Sequence, residues 1–273
     1  MNSGEKFRQT LPESRRVVIK IGSRVIVGKT GKPDLAHIKR LVLQLAAIQR
    51  QGYQVVVVSS GAIAAGMEAL NIAKRPEAVP DLQMCAAVGQ GRLMARYAEL
   101  FDKEKIRVGQ MLLTHDDFDR KIRLANMRRT MDHMLRLGVI PIINENDVVA
   151  DEEVKADLSF GDNDNLASLV VRQIRADLLV LLSTVDGLRA HKPNGKSVRV
   201  PYVETINKEI LKLVLPPDAV SLSKGGMDSK LRAAGVCMKA GCNVVIADGK
   251  KSGVLTDIVS GRDVGTLFIA SPV

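Results

Sequence analysis

Residues 17–61 read VVIKIGSRVIVGKTGKPDLAHIKRLVLQLAAIQRQGYQVVVVSSG, and the order of apolar runs within them decides the fold. Val17 to Ile21 and Val55 to Val58 are short β-branched runs of strand length. Between them Leu35, Ile38, Leu41, Val42, Leu45 and Ile48 recur at helical spacing behind Asp34, a residue suited to cap a helix N-terminus. The stretch is a strand, a helix and a second strand, and a helical crossover of this kind is what a parallel strand pair needs.

Outward from that unit the alternation continues. Helical spacing runs from about Asp81 to Phe101 and from Ile122 to Leu137, with apolar strands at Val108 to Leu113 and Val139 to Asn144. Beyond Asp162, a helix from Asn165 to Ile174 leads to a strand at Leu178 to Leu182. A second helix, from about Met227 to Ala240, leads to a strand at Asn243 to Ala247, and Thr266 to Phe268 closes the pattern. Near-continuous apolar strands separated by helices imply an α/β chain whose mostly parallel open sheet is covered on both faces. No Pro/Gly/Ser-rich linker interrupts it, so residues 1–14 read as an N-terminal extension and 15–273 as one domain of two lobes sharing a sheet. In such sheets ligands lie beyond the carboxyl ends of the strands, which directs attention to the loops found there.

Composition narrows the function classes. With 273 residues, 46% hydrophobic and 26% charged, the chain is neither disordered nor fibrous. Its longest apolar runs fall far short of the ~18 residues of a membrane span, and the first sixteen residues hold no apolar core of a signal peptide. The expectation is a cytoplasmic protein with no membrane partner. Cys85, Cys237 and Cys242 lack paired metal spacing and read as reduced core thiols, the last two inside one helical pattern. Forty basic against thirty acidic residues give a net charge of +10, which calls for an anionic partner. Trp is absent and aromatics reach only 3%, so platforms for stacking single-stranded nucleic acid are poorly supplied. A phosphate-bearing small ligand is the better reading. The rival, a basic nucleic-acid-binding protein, rests on charge alone and would show a steep salt dependence.

Gly28-Lys29-Thr30 suggests a Walker A loop, but the glycine that motif needs five residues earlier is Ser23, and Arg24 to Val27 read as extended. No G-x-G-x-x-G occurs. Lys20, inside the first strand and followed by Ile21-Gly22-Ser23, is either an anion-facing amine or an edge-strand lysine. Ser59-Ser60-Gly61-Ala62 opens a helix directly after the second strand, which makes it a simple N-cap or an anion site. From Asn144-Glu145-Asn146-Asp147 to Gly161-Asp162-Asn163-Asp164-Asn165 there are eight acidic residues and one basic, Lys155. That tract would hold a cation, an ammonium or a magnesium-bound phosphate, or form a solvated hairpin. It is not an EF-hand, because the sixth residue from Asp162 is Ala167 and not glycine. Ser223-Lys224-Gly225-Gly226-Met227-Asp228-Ser229-Lys230 joins a loop to a helix, with two glycines freeing the backbone and two lysines supplying charge, a phosphate-site pattern or an ordinary loop.

VVIKIGS, SSGAIAAG, INEND, FGDNDN and SKGGMDSK, in this order and joined by AAVGQGRL, VGQML and VGTLF, closely resemble the amino-acid kinase family from about Arg15 to Phe268. Within that family the resemblance is to the branch that phosphorylates the side chain of L-glutamate in the first step toward proline. It implies a three-layer αβα sandwich, with an acceptor-binding lobe over about 15–175 and a nucleotide-binding lobe over about 176–270, and ATP with Mg²⁺ as phosphoryl donor. By the same resemblance Lys20 and Lys230 are the phosphate-clamping lysines, Asp164 holds them, and Ser60, Asp147 and Asn163 contact glutamate in a pocket that Asn144 and Asp162 help to line. Nucleotide contacts are implied for Lys20, Ser183 and Thr184, and for Lys224, Gly225, Gly226, Met227, Asp228, Ser229 and Lys230. Direct metal ligands are not assigned. Homo-oligomers and feedback by proline are the family expectation. Other members acting on a different carboxylate, a carbamate or a nucleotide are the near alternatives. The chain departs from the pattern in carrying Ser183-Thr184 where Thr-Asp is frequent, Lys224 where Thr is frequent, and a longer segment from Val148 to Phe160. The resemblance is to the kinase domain, without the C-terminal PUA domain that many bacterial members carry.

Overall fold

The computed structural model describes residues 3–28, 30–149, 163–191, 196–213 and 226–271. In chain order the strands are β1 (Arg16–Ile21), β2 (Gln54–Ser59), β3 (Val108–Leu113), β4 (Ile140–Glu145), β5 (Leu178–Ser183), β6 (Arg189–His191), β7 (Ser197–Arg199), β8 (Tyr202–Val203), β9 (Asn243–Asp248) and β10 (Thr266–Phe268). The helices are α1 (Ser3–Arg8), α2 (Ser23–Ile26), α3 (Leu35–Arg50), α4 (Ala62–Ala69), α5 (Val79–Lys103), α6 (Asp116–Asp119), α7 (Lys121–Arg136), α8 (Asn163–Ile174), α9 (Lys208–Lys212), α10 (Met227–Lys239) and α11 (Val254–Val259). Eight strands form one sheet in the order β3-β4-β2-β1-β5-β9-β10-β8. Every pairing in it is parallel except that of β9 with β10.

Strand β1 is flanked by β2 and β5, with Val18 opposite Val56 on one side and Leu179 on the other. Successive side chains of a strand point to opposite faces. Val17, Ile19 and Ile21 therefore enter one core with Ile38, Leu41 and Leu45 of α3, Tyr97 and Phe101 of α5, and Leu255 and Ile258 of α11. Val18 enters the other, among Met131 of α7, Leu166 and Val170 of α8, and Leu231 and Ala234 of α10. The mostly parallel sheet between two helical layers is the architecture the periodicity implied. Lys20 shares the face of Val18, and this parity aims its amine toward α8 and α10.

The structure corrects the local reading at several points. Ser23–Ile26 is a helical turn and not extended chain. Val25 and Ile26 are buried in the core that holds Ile21, Ile38 and Leu182, and that packing overrides their β propensity. Cys242 lies outside the helix that holds Cys237, beyond a turn at Gly241 with φ of +78°. Helix α8 begins at Asn163, two residues before the expected start, so Asn163 and Asp164 occupy its first turn. Asp34 does cap α3, its side chain accepting a hydrogen bond from the His37 amide. The N-terminal residues are tied to the far edge of the sheet. The buried Arg8 guanidinium donates to the carbonyls of Pro201, Val264 and Gly265 at 2.8–2.9 Å and pairs with Asp263 at 3.1 Å.

Small residues in SSGAIAAG and AAVGQGRL have a physical reason. A Cβ placed on Gly66 would lie 1.8 Å from the Cys85 carbonyl oxygen, and one on Gly89 would lie 1.8 Å from that of Ala62. Helices α4 and α5 thus touch backbone to backbone, and neither position tolerates a methyl group without separating them. Gly89→Ala is expected to lower unfolding stability by about 1–3 kcal/mol. Urea midpoints measure the effect.

Candidate active site

Lys20, near the end of β1, reaches across the chain at Gly22, where a Cβ would stand 3.7 Å from its Nζ. That Nζ lies 2.8 Å from Asp164 Oδ1, and Lys230 Nζ lies 3.0 Å from Asp164 Oδ2. Ser229 Oγ also donates to Oδ2, at 2.8 Å. Lys20, Lys230 and Asp164 are 6%, 5% and 1% exposed, so one buried carboxylate separates two buried ammonium groups and the cluster keeps a net positive charge. Asp164 sits in the first turn of α8, where the helix dipole favours an anion. Lys230 sits in the first turn of α10, where the dipole opposes a cation, and Asp164 offsets that cost. Burial alone would raise the Asp164 carboxyl. The Lys20 and Lys230 charges, with hydrogen bonds from Lys20 and Ser229, outweigh it and hold the group down to about 2.

Beside this cluster lies a polar chain. Asn163 Nδ2 donates to Ser60 Oγ and to Asn144 Oδ1, both at 3.0 Å, and Asn144 Nδ2 donates to Gln90 Oε1 at 2.9 Å. The ends of β2 and β4 and the start of α8 are joined here to the middle of α5. Ser60, Asn144 and Asn163 border a cavity of about 100 Å³ whose lining also includes Ser23, Gly61, Ala62, Arg75 and Asp147. A neighbouring cavity of about 310 Å³ shares Ala62 and Asp147 and extends past Gln90 to Gln110 and Leu112. Gly61 caps α4 with φ of +107°, a left-handed conformation that favours glycine, and a Cβ there would come within 2.8 Å of Ile26. Beneath the turn, Ser59 Oγ lies 2.9 Å from Tyr97 Oη, fixing α5 to the end of β2. Burial pushes the Tyr97 phenol up to about 12 despite the Ser59 hydrogen bond, so it stays neutral.

Lys20, Ser60, Asn144, Asp147, Asn163, Asp164, Ser229 and Lys230 therefore gather at the carboxyl ends of β1, β2 and β4 and at the N-termini of α8 and α10. Ser183 ends β5 half-buried, its carbonyl accepting from the Gly249 amide at 2.8 Å, and Thr184 beside it is exposed. Gly226 caps α10 and Met227 is half-buried. Asp228 turns to the outer face of α10, where it pairs with exposed Arg232 at 2.8 Å. Asp162, Lys224 and Gly225 lie outside the described residues, as does the expected hairpin from residue 150 onward. The sequence reading did not single out Arg75 or Gln90. Arg75 lies in an aperiodic loop that gave no signal. Gln90 did leave one, as the polar residue in the small apolar run AAVGQG.

The family model of the amino acid kinase family matches residues 15–248. Glutamate 5-kinase of Pelobacter propionicus is 42% identical over 264 residues, which cover 96% of this chain and 69% of that protein. Glutamate 5-kinase of Clostridium acetobutylicum is 41% identical over 271 residues, 98% of each. Among solved structures, carbamate kinase from Giardia lamblia bound to AMP-PNP is similar with a TM-score of 0.63 at 17% identity, over 95% of this chain and 100% of that one. UMP kinase from Bacillus anthracis gives 0.62 at 15%, over 95% and 97%. At such identities these two speak to the fold, the same covered, mostly parallel sheet.

Proposed function

The chain belongs to the amino acid kinase family, and from that premise we propose how its residues perform the transfer. The activity is that of its glutamate 5-kinase relatives: the γ-phosphoryl group of ATP passes to the side-chain carboxylate of L-glutamate in proline synthesis. One observation supports the residue roles above the others. Asn163 and Asp164 are consecutive in the first turn of α8, and Asn163 faces the polar cavity while Asp164 faces the lysines. Acceptor and phosphoryl group are thereby held side by side.

The acceptor carboxylate has a reference pKa of ~4.3 and is already a nucleophile at neutral pH, so no general base is needed. The obstacle is charge. Two unit negative charges ~4 Å apart repel by about 4 kcal/mol at an effective dielectric of ~20. Lys20 and Lys230 meet that repulsion from the protein side, and Asp164 keeps them aimed and apart. A carboxylate oxygen attacks the γ-phosphorus in line, the bond from that phosphorus to the β-phosphate bridging oxygen breaks, and ADP leaves. Catalysis is then positioning plus electrostatic stabilisation of the spread charge. Ser183, Thr184 and residues 224–230 are the proposed nucleotide contacts.

Both Asp164 oxygens are engaged by Lys20, Lys230 and Ser229, and among the described residues no group of three or more His, Cys, Asp or Glu side chains is assembled. These donors suit a magnesium ion carried on the nucleotide phosphates and completed by water more than one caged by protein oxygens. When bound, that ion supplies neutralising charge at the phosphates. Cytoplasmic location and homo-oligomeric assembly belong to the same proposal, and no described helix is long and apolar enough to cross a membrane.

The test supplies Mg-ATP, candidate acceptors and hydroxylamine, which traps an acyl phosphate as a coloured hydroxamate. L-glutamate is expected to give the highest kcat/KM. A higher value for L-aspartate or N-acetyl-L-glutamate would keep the family and overturn the substrate. Asp147→Ala should mainly raise the KM for glutamate, with the KM for ATP nearly unchanged, because the α-ammonium it is proposed to meet carries equal charge in ground and transition states. A large fall in kcat at unchanged glutamate KM would place Asp147 in the transfer step instead. Proline shares with glutamate an α-carboxylate beside a cationic nitrogen. At millimolar concentration and subsaturating glutamate it is expected to lower the rate, and an unchanged rate removes it as an effector.

A further inference from the structure

Asp147 and Arg75 are the only ionisable side chains among the described residues lining the cavity of about 100 Å³, one of each sign. A free α-amino acid presents the complementary pair, an ammonium and a carboxylate on one carbon. Asp147 accounts for the ammonium, and the reacting side-chain carboxylate is directed to Lys20 and Lys230, which leaves the α-carboxylate without a cation. Arg75 comes from the loop between α4 and α5 and makes no hydrogen bond or ion pair with any described residue. Structural arginines of this chain behave otherwise, as the carbonyl-bonded Arg8 does. Pro76 follows directly and disfavours the helical region for the Arg75 backbone. Arg75 is solvent-exposed, and the desolvation it does meet lowers its guanidinium from the usual value, with Asp147 opposing that shift. A planar fork of N–H donors matches a carboxylate bidentately, as a lysine does not.

We propose that Arg75 recognises the α-carboxylate of the acceptor and so sets the preference for a free amino acid over analogues that lack that charge. The proposal rests on the glutamate kinase reading above. Two probes keep the reacting carboxylate and lose the other: the α-amide of L-glutamate, and 4-aminobutyrate. Arg75→Ala is expected to raise the KM for L-glutamate about 10- to 100-fold, the loss of a charge-assisted pair. The kcat and the KM for ATP should stay near wild type. For the two probes, kcat/KM, or Ki against glutamate where turnover is too slow, should change by less than about twofold, so the discrimination between acceptors collapses. Arg75→Lys should fall between, keeping the charge without the fork. Equal losses for all three acceptors would mean that Arg75 only supports the loop, and a glutamate KM unchanged in Arg75→Ala would mean that it only faces solvent. Either result overturns the proposal. Failure of the unaltered protein to phosphorylate glutamate refutes the kinase reading itself, and is seen without any variant.

Discussion

Lys230→Ala is expected to lower kcat by ~10²–10³ while shifting both KM values far less, because a preorganised charge acts most strongly on the phosphoryl group in transit. The size follows from burial. Lys230 Nζ is almost withdrawn from water and held 3.0 Å from Asp164, so it is already aimed when substrates arrive. A solvated surface lysine would change stability by at most about 0.5 kcal/mol and leave turnover intact. Asp164 retains Lys20 and Ser229 in the variant, so the fold should persist, which circular dichroism and a melting curve check. Lys230→Met keeps the apolar stem and should reproduce the loss. A folded variant keeping more than about a third of kcat, a barrier change under ~0.7 kcal/mol, would reject the catalytic role.

Asp164→Asn should do more damage to the protein itself. It leaves Lys20 and Lys230, both buried, facing each other across a neutral amide. Removing one partner of a buried ionic cluster typically costs about 3–5 kcal/mol. Turnover should fall with it, since the lysines lose the group that sets their spacing. Mg-ATP brings negative charge to the two ammonium groups, so nucleotide should raise the Tm of Asp164→Asn by more than it raises that of wild type. Acid titration supplies a second readout. The folded carboxyl lies near about 2, below the ~3.9 of an unfolded aspartate, so its stabilisation is complete above that unfolded value and lost as pH falls toward the folded one. The stability gap between wild type and variant should be level from neutrality to about pH 5 and narrow between about pH 4 and 2. A variant as stable as wild type at pH 7 would show that Asp164 is not the keystone of the cluster.

The strand-helix-strand order of residues 17–61 was legible because each apolar run keeps one period, and the strand alternation also fixes the face on which Lys20 lies. What that face meets was not legible. Asp164 is 144 positions away in sequence from Lys20, and only the packing of α8 beside α10 under β1 brings the two together. Ser23–Ile26 misled because four residues hold too little periodicity to outweigh β-branched composition, and burial decided the outcome. The two-residue β8 and the short β10, antiparallel to β9, lack the long apolar runs that mark parallel strands, so the far edge of the sheet was read only as Thr266 to Phe268, and the separate β6–β7 pair gave no signal. Glycine positions in AAVGQGRL stood out as a motif, but their reason, the backbone contact of α4 with α5, exists only in three dimensions. Arg75 carries no periodic or motif signal and is identified by the cavity it borders.

The most direct measurement follows one oxygen atom. L-glutamate carrying ¹⁸O in both side-chain carboxylate positions is incubated with the protein, Mg-ATP and hydroxylamine, and the released phosphate is weighed by mass spectrometry. If the side-chain carboxylate attacks the γ-phosphorus, one of its oxygens becomes the bridge of the acyl phosphate. Hydroxylamine then cleaves at carbon, and the phosphate departs with a single ¹⁸O. That label is expected in step with hydroxamate formation, abundant in wild type and reduced in Lys230→Ala. Phosphate released without ¹⁸O would show that water, and not glutamate, takes the phosphoryl group, and would contradict the transfer assigned to this site.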